Sequence, residues 1–397
     1  METFGSVLER CRGVGPGFDF LRISMAVGVV AFHSHYVVTG NSPFASPGGA
    51  GRYFWMPDYA VLVMFFAISG FLTAGSGLRH SLKHFLVNRA MRMAPALAVE
   101  IVLSALILGP LFTNLPLTEY FGDPRTYRYF SNLVGIVNYY LPGVFVGNPA
   151  PEVNSSVWTV PFEYACYFLM AGIAYCGLLR RRAAILGLAC LLVGVGLALV
   201  VAGAAAPDQA LQSADAPQLA LGKIFGSAPF LGRGSRLPVG FLLGIAAYLY
   251  REKIPYDWRL FWACAALCAA LGAIGPAAWL SQPLLNATAC PAVVYMTVFL
   301  GLTKIPLPQF LTRSDYSYGI YLYGFPVQQA VRALVPIDDG LLQLALSIGP
   351  VLLFAAFSWH MIEKPIFKSR RIYFFIARER FAPRAAVGVA AGQGAPV

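Results

Sequence analysis

Ten apolar stretches, each close to the length that crosses the ~30 Å hydrocarbon layer of a bilayer, dominate this chain. They cover roughly residues 20–38, 57–77, 91–112, 157–178, 183–203, 237–250, 259–280, 284–303, 316–335 and 341–362. Inside a bilayer every backbone N–H and C=O has to be satisfied by protein, which leaves helices or closed barrels, and runs of this length select helices. Only 12% of the 397 residues are charged and 58% are hydrophobic, whereas a soluble domain carries about 25% charged residues. Too little polar surface exists to cover a water-soluble globule. The expected fold class is an all-α polytopic membrane protein, a bundle of about ten transmembrane helices.

The basic residues orient that bundle. With the N-terminus on the cytoplasmic side, the inner loops hold Arg10 and Arg12, then Arg79, Lys83, Arg89 and Arg92, the Arg180–Arg182 triplet, Arg251, Lys253 and Arg259, and Lys304 and Arg313. The tail adds Lys364, Lys368, Arg370, Arg371, Arg378, Arg380 and Arg384. The outer loops hold only Arg52, Arg125, Arg128, Lys223, Arg233 and Arg236. This asymmetry favours both termini in the cytoplasm. It holds only if an eleventh apolar stretch, 130–147, does not span; with Asn132, Asn138, Pro142 and Gly143 it reads as a re-entrant or interfacial element packed against protein. The net charge of +11 is then mostly a topology signal, and nucleic acid is not an expected partner.

Three segments follow: a cytoplasmic stretch 1–19, a membrane domain 20–368, and a basic cytoplasmic tail 369–397 whose end reads as disordered. No cleavable signal peptide is recognised, so the first apolar run stays as the first span. The outer loop 204–236 is rich in Ala, Pro, Gly and Ser and reads as irregular. The seven cysteines are scattered and form no CxxC pair, so they read as small buried hydrophobes, and no metal site is expected.

Ionisable side chains inside such runs are costly and mark function. Arg22 and His33 are eleven residues apart, three helical turns, so they share a face and lie about 16 Å apart along the axis. His33 falls beyond the midplane, as either a packing histidine or a general base. His35 points some 200° away and reads as interfacial. Arg89 and Arg92, at i,i+3 in LVNRAMRMAP, stand at the start of the third span with Pro95 in its first turn. They either anchor the helix or grip a polyphosphate. Glu163, in VNSSVWTVPFEYACYF, lies at a depth like that of His33, so a Glu–His pair across the bundle is a geometric option, with Pro161 breaking the helix ladder beside it. Tyr318, Tyr321 and Tyr323 open the ninth span, and Glu363-Lys364-Pro365 reads as the stop of the tenth.

Read in order over about residues 18–368, these pieces resemble the acyltransferase 3 family, bacterial integral-membrane enzymes that move acyl groups onto sugars. FDFLR followed by AFHS resembles its first-helix signature. FFAISGFL (Phe65–Leu72), NRAMRMAP, VWTVPFE, SYGIYLYGFP and IEKP resemble its later motifs. The resemblance implies that His33 is the catalytic base, that Arg22 and Glu163 belong to the catalytic centre, and that Arg89 and Arg92 lie near the phosphates of an acyl-CoA cosubstrate. It implies transfer of an acyl group, acetyl or succinyl, from acetyl-CoA or succinyl-CoA to a hydroxyl of a cell-surface or lipid-linked saccharide, in the bacterial cytoplasmic (inner) membrane. Two positions depart from the family pattern: Pro161 replaces a small polar residue, and Tyr323-Gly324 replaces an aromatic-histidine pair. The competing expectation is a transporter or flippase in which His33 and Glu163 relay protons.

Overall fold

The computed structural model describes residues 1–13, 15–41, 51–78, 82–203, 230–274, 282–305 and 315–369, with backbone alone for 51–54. The 204–229 part of the outer loop, the tail from residue 370, and Arg79 and His80 lie outside the described residues.

A short amphipathic helix, α1 (Phe4–Arg10), precedes the bundle and is closed at its start by a reciprocal capping box between Thr3 and Ser6. Among the described residues ten longer helices follow: α2 (Phe18–Thr39), α3 (Gly51–Gly77), α4 (Leu82–Leu103), α5 (Val160–Tyr175), α6 (Arg182–Val201), α7 (Arg236–Leu249), α8 (Trp258–Ile274), α9 (Gln282–Leu302), α10 (Ser317–Leu334) and α11 (Gly340–Phe357). They fall on the ten apolar stretches of the sequence. Among the described residues seven helical stretches are long and apolar enough to cross a membrane: α2, Trp55–Gly77, Leu82–Phe112, Ser155–Tyr175, α6, α9 and Gly340–Ser369. The protein is therefore an all-helical, membrane-spanning bundle. The other three stretches are shorter. At 14 residues, α7 is about 21 Å long, and most of it is buried, including Phe241, Leu242 and Ile245.

Backbones approach closely where side chains vanish. Gly70 of α3 faces the Phe241 carbonyl of α7, while Gly240 and Gly244 of α7 face Val63 and Ala67 of α3. Gly240 and Gly244 form a GxxxG face, the device that lets membrane helices pack backbone to backbone when lipid supplies no hydrophobic drive. Phe65, Phe66, Ile68, Ser69 and Leu72 of α3 are thereby held as one wall of a cavity.

Three local expectations need correction. The helix carrying Arg89 and Arg92 starts at Leu82 and not near residue 91, so both arginines lie inside it and Pro95 is an interior proline. The LKHFLV segment has no helix breaker and extends the helix by more than two turns. Pro161 does not break the Glu163 helix; it occupies the first turn of α5, where no intrahelical N–H is required. Glu363-Lys364-Pro365 does not stop the last helix either. The chain passes through a π-helical turn, Ser358–Glu363, and stays helical to Ser369; such a bulge loosens the ladder where Pro365 cannot donate.

The 130–147 stretch is not a helix. A 3₁₀ turn, Tyr129–Val134, leads into irregular backbone with left-handed residues at Gly135, Gly143 and Phe145. Val137, Leu141, Val144 and Phe145 are buried against α4 and α10 residues such as Leu97, Ile101 and Leu322. Buried Asn132 substitutes for a helical ladder: its Nδ2 donates to the Tyr129 and Asn138 carbonyls at 2.8 and 2.9 Å, and its Oδ1 accepts from the Asn138 N–H at 2.8 Å. Irregular backbone at membrane depth is tolerated where protein satisfies it in this way.

Candidate functional site

One cavity gathers charged groups from three helices. Arg22 of α2, Arg89 and Arg92 of α4, and Glu163 of α5 line it together with Ser69, Thr159, Tyr167, Ser317, Tyr318 and Tyr321. Four of the five expected site residues thus meet in one place, although they are separated by up to 141 positions in the chain. Each is delivered by helix register. Arg22 is one turn into α2, Arg89 and Arg92 are one turn apart, and Glu163 stands in the first turn of α5.

The arginines are organised by a carboxylate that sequence reading passes over. Arg92 Nη2 donates to Asp315 Oδ2 at 2.6 Å, and Arg22 Nη1 lies 3.7 Å from the same oxygen. The Ser317 hydroxyl donates to Asp315 Oδ1 at 2.6 Å. Asp19 adds a weaker contact, 3.8 Å from Arg22 Nη1. Asp315 stands just before α10. Burial alone would push its carboxyl up, but the Arg92 and Arg22 guanidiniums and the Ser317 hydroxyl together hold it well below the usual carboxylate range. Arg89 turns instead to aromatic faces, 5.8 Å from the Phe85 ring centroid and 5.6 Å from that of Tyr167. Two guanidiniums that share one carboxylate, with a third close by, leave the cavity cationic and rich in N–H donors.

His33 does not line this cavity. It sits further along α2, edge-on to Phe325 of α10 at 5.0 Å. Phe18 of α2 meets Phe71 of α3 at 5.7 Å, so equal rise along two antiparallel helices puts His33 at about the depth of Met56 and Asp58. Asp58 is within electrostatic reach of His33 and pairs with Arg233 at 3.2 Å and Arg236 at 3.6 Å. Among the described residues no hydrogen bond or ion pair joins His33 to Glu163. The expected pairing of the two is not formed; they belong to successive levels of the bundle. His35 is exposed and backs onto Gly340, apart from the His33 face.

Between these levels lies a second group absent from the sequence reading. Glu100, buried in the last turn of α4, accepts from Ser104 Oγ at 2.8 Å and from Asn154 Nδ2 at 2.9 Å. Asn154 Nδ2 also donates to the Leu322 carbonyl at 3.0 Å, and its Oδ1 caps the 3₁₀ turn Ser155–Thr159 through the Ser156 N–H. Thr159 then shares a 2.9 Å hydrogen bond with the Tyr321 hydroxyl. This chain of contacts fixes where α5 begins, and so where Glu163 enters the cavity. The signal was present in sequence: a carboxylate in the middle of the third apolar stretch has to find donors.

Comparison with known proteins agrees with the geometry. A family model described as an acyltransferase domain matches residues 16–360. The chain is 26% identical to an O-acetyl transferase of Shigella phage Sf6 over 376 residues, which are 87% of this chain and 94% of that protein. It is 28% identical over 378 residues to nodulation protein 10 of Rhizobium leguminosarum bv. viciae, covering 91% of this chain and 96% of that one. No solved structure matches. The chain belongs to the Acyl_transf_3 family of bacterial membrane acyltransferases.

Proposed function

We propose that this protein transfers an acetyl or succinyl group from acyl-CoA to a hydroxyl of a cell-surface or lipid-linked saccharide at the bacterial inner membrane. The observation that carries the reading is the convergence of Arg22, Arg89 and Arg92 on one cavity inside a membrane acyltransferase. Guanidiniums are the side chains that grip phosphate oxygens in bidentate fashion. Asp315 occupies two of them and stands in for an anion. The excess of basic residues in the loops at this end supports a cytoplasmic orientation for it and for both chain termini, on the side where acyl-CoA is made. The similarity to an O-acetyl transferase supports the acyl group and hydroxyl chemistry.

In this mechanism the donor's phosphates sit at the arginine end and its long thiol arm runs along α2 toward His33, about 16 Å away. The His33 imidazole takes the proton from the acceptor hydroxyl as that oxygen attacks the thioester carbonyl. The C–S bond breaks, and the departing thiolate receives a proton from the imidazolium, returning His33 to its neutral form. Glu163 belongs to the donor level, where it faces the arginines, and we assign it to positioning the thioester arm.

The test is acyl transfer by purified protein. His33→Ala should abolish turnover while leaving donor binding in place; near-normal turnover at matched protein level would rule out the base assignment. Arg89→Ala and Arg92→Ala should raise the KM for acyl-CoA at least tenfold more than that for the saccharide, and an unchanged donor KM would rule out the phosphate site.

A further inference from the structure

A second cavity, of about 480 Å³, opens at the opposite end of the bundle from the three arginines. Its walls come from the chain just after α4, from the irregular 143–148 segment, and from the C-terminal turn of α10. The side chains that matter are Phe112, Asn114, Phe145, Asn148 and Arg332. Arg332 is the sole charged residue among those lining it. Among the described residues its one ion pair is a 3.3 Å contact from Nη2 to Asp338, whose own side chain is 97% exposed, so water screens that pair heavily. The Arg332 Nε–H is buried and has no hydrogen-bond partner among the described residues. A guanidinium held mostly out of water, the one charge lining a roomy and otherwise neutral cavity, suits an oxyanion.

The position of this cavity links it to the reaction. Arg332 and Phe325 are seven residues apart on α10, two turns on the same face, or about 10 Å along the axis. Phe325 is the ring packed on His33. The wall between them is fixed, not loose. Gln329, one turn before Arg332, donates from Nε2 to the Ala150 and Glu152 carbonyls at 2.6 Å each and accepts from Asn148 Nδ2 at 2.8 Å. Tyr36, one turn beyond His33, donates to Glu152 Oε1 at 2.8 Å. Arg332 thus stands about 10 Å along α10 from the ring that packs on His33, across a wall held by Gln329, Asn148 and Tyr36.

We propose that this cavity is a subsite for an oxyanion carried by the acceptor, a uronate carboxylate or a sugar-linked phosphate, clamped by Arg332 and flanked by the Asn114 amide and the Phe112 and Phe145 rings. The word "acceptor" rests on the acyltransferase reading; the anion site itself does not.

Binding is measured on the full-length protein in nanodiscs without donor, using methyl glucuronoside, glucose 1-phosphate, inorganic phosphate and neutral methyl glucoside. The acidic glycosides should bind at least tenfold more tightly than the neutral one, with binding weakened by added salt. Arg332→Gln should abolish that difference and Arg332→Lys should restore part of it. A preference for glucose 1-phosphate assigns a phosphate, and one for the glucuronoside assigns a carboxylate. Inorganic phosphate competing equally well with both would mean that the anion alone is recognised, and the saccharide part of the proposal fails. Equal binding of acidic and neutral glycosides by wild type would overturn the site even if the variants fail to fold. Selective binding without any acyl transfer to the bound sugar would leave the subsite standing and overturn the proposed function instead.

Discussion

Replacing Gly70 or Gly244 by alanine should loosen the contact between α3 and α7, and the structure ranks the effect in advance. A Cβ on Gly70 would be driven into the Phe241 carbonyl oxygen and would stand 2.9 Å from its carbon; one on Gly244 would meet the Ala67 carbonyl oxygen and stand 2.9 Å from that carbon. Ordinary contact begins at 3.4 Å. Both obstacles are helix backbone, which has no rotamer to change, so the helices themselves must separate. Gly240 is a milder case: its Cβ would come 3.2 Å from the Val63 oxygen and Cγ1. Gly194, on α6, has nothing within 4 Å. Overpacking of this kind costs about 1–3 kcal/mol, while trading glycine for alanine within a helix returns about 0.5–1 kcal/mol. The clash wins at positions 70 and 244, leaving them about 1–2 kcal/mol less stable. The two effects nearly cancel at 240, and at 194 propensity acts alone and the variant is slightly stabilised. Unfolding in mixed detergent–SDS micelles measures the series. Because α3 forms one wall of the arginine cavity, Gly70→Ala should also weaken donor binding. If all four variants behave alike, or Gly194→Ala is the most damaged, backbone contact does not hold these helices.

Asp315→Asn removes the shared partner of Arg22 and Arg92 and should cost about 2 kcal/mol. Since the folded carboxyl is held below its unfolded value of about 3.9, its stabilisation is complete above that value and is lost as pH falls through the lower folded one. The gap between wild type and Asp315→Asn in thermal melts should stay constant from pH 8 to 5 and shrink only in strong acid; a gap that closes near neutrality would contradict the pairing. Glu100→Gln keeps the oxygen that accepts from Ser104 and Asn154 and should leave both stability and activity near normal. Glu100→Ala strands both donors, costs about 1–3 kcal/mol and, through Asn154, should lower turnover more than donor affinity. Equal effects of the two substitutions in melts and kinetics would show that the hydrogen bonds are not what matters.

The helices were legible because apolar runs of bilayer length leave the backbone no other option, and the arginine pair with Glu163 was legible because charge inside such runs is rare. Helix ends were less so. Pro95 and Pro365 read as boundaries, yet both sit within continuous helix, because a membrane bundle and a π turn absorb the missing N–H that would end a helix in water. Asp315 was hidden for another reason. It lies just outside an apolar run, where an acidic residue looks like ordinary loop chemistry, and only the three-dimensional approach of α2 and α4 gives it meaning. The expected pairing of His33 and Glu163 came from comparing depths alone, which says nothing about which helices are neighbours.

The irregular stretch between α4 and α5 also constrains how the protein is assembled. Its polar groups close on partners far along the chain: Asn154 on the Leu322 carbonyl, Asn148 on Gln329, and Gln329 in return on Ala150 and Glu152. None of these bonds exists until α10 has entered the membrane, more than 160 residues after Asn154 leaves the ribosome. Until then the stretch cannot reside in hydrocarbon and has to wait at the interface. The floor of the second cavity is thus set late, as the closing step of assembly, and a chain truncated before α10 should leave 129–154 open to protease while α2 to α6 are already inserted.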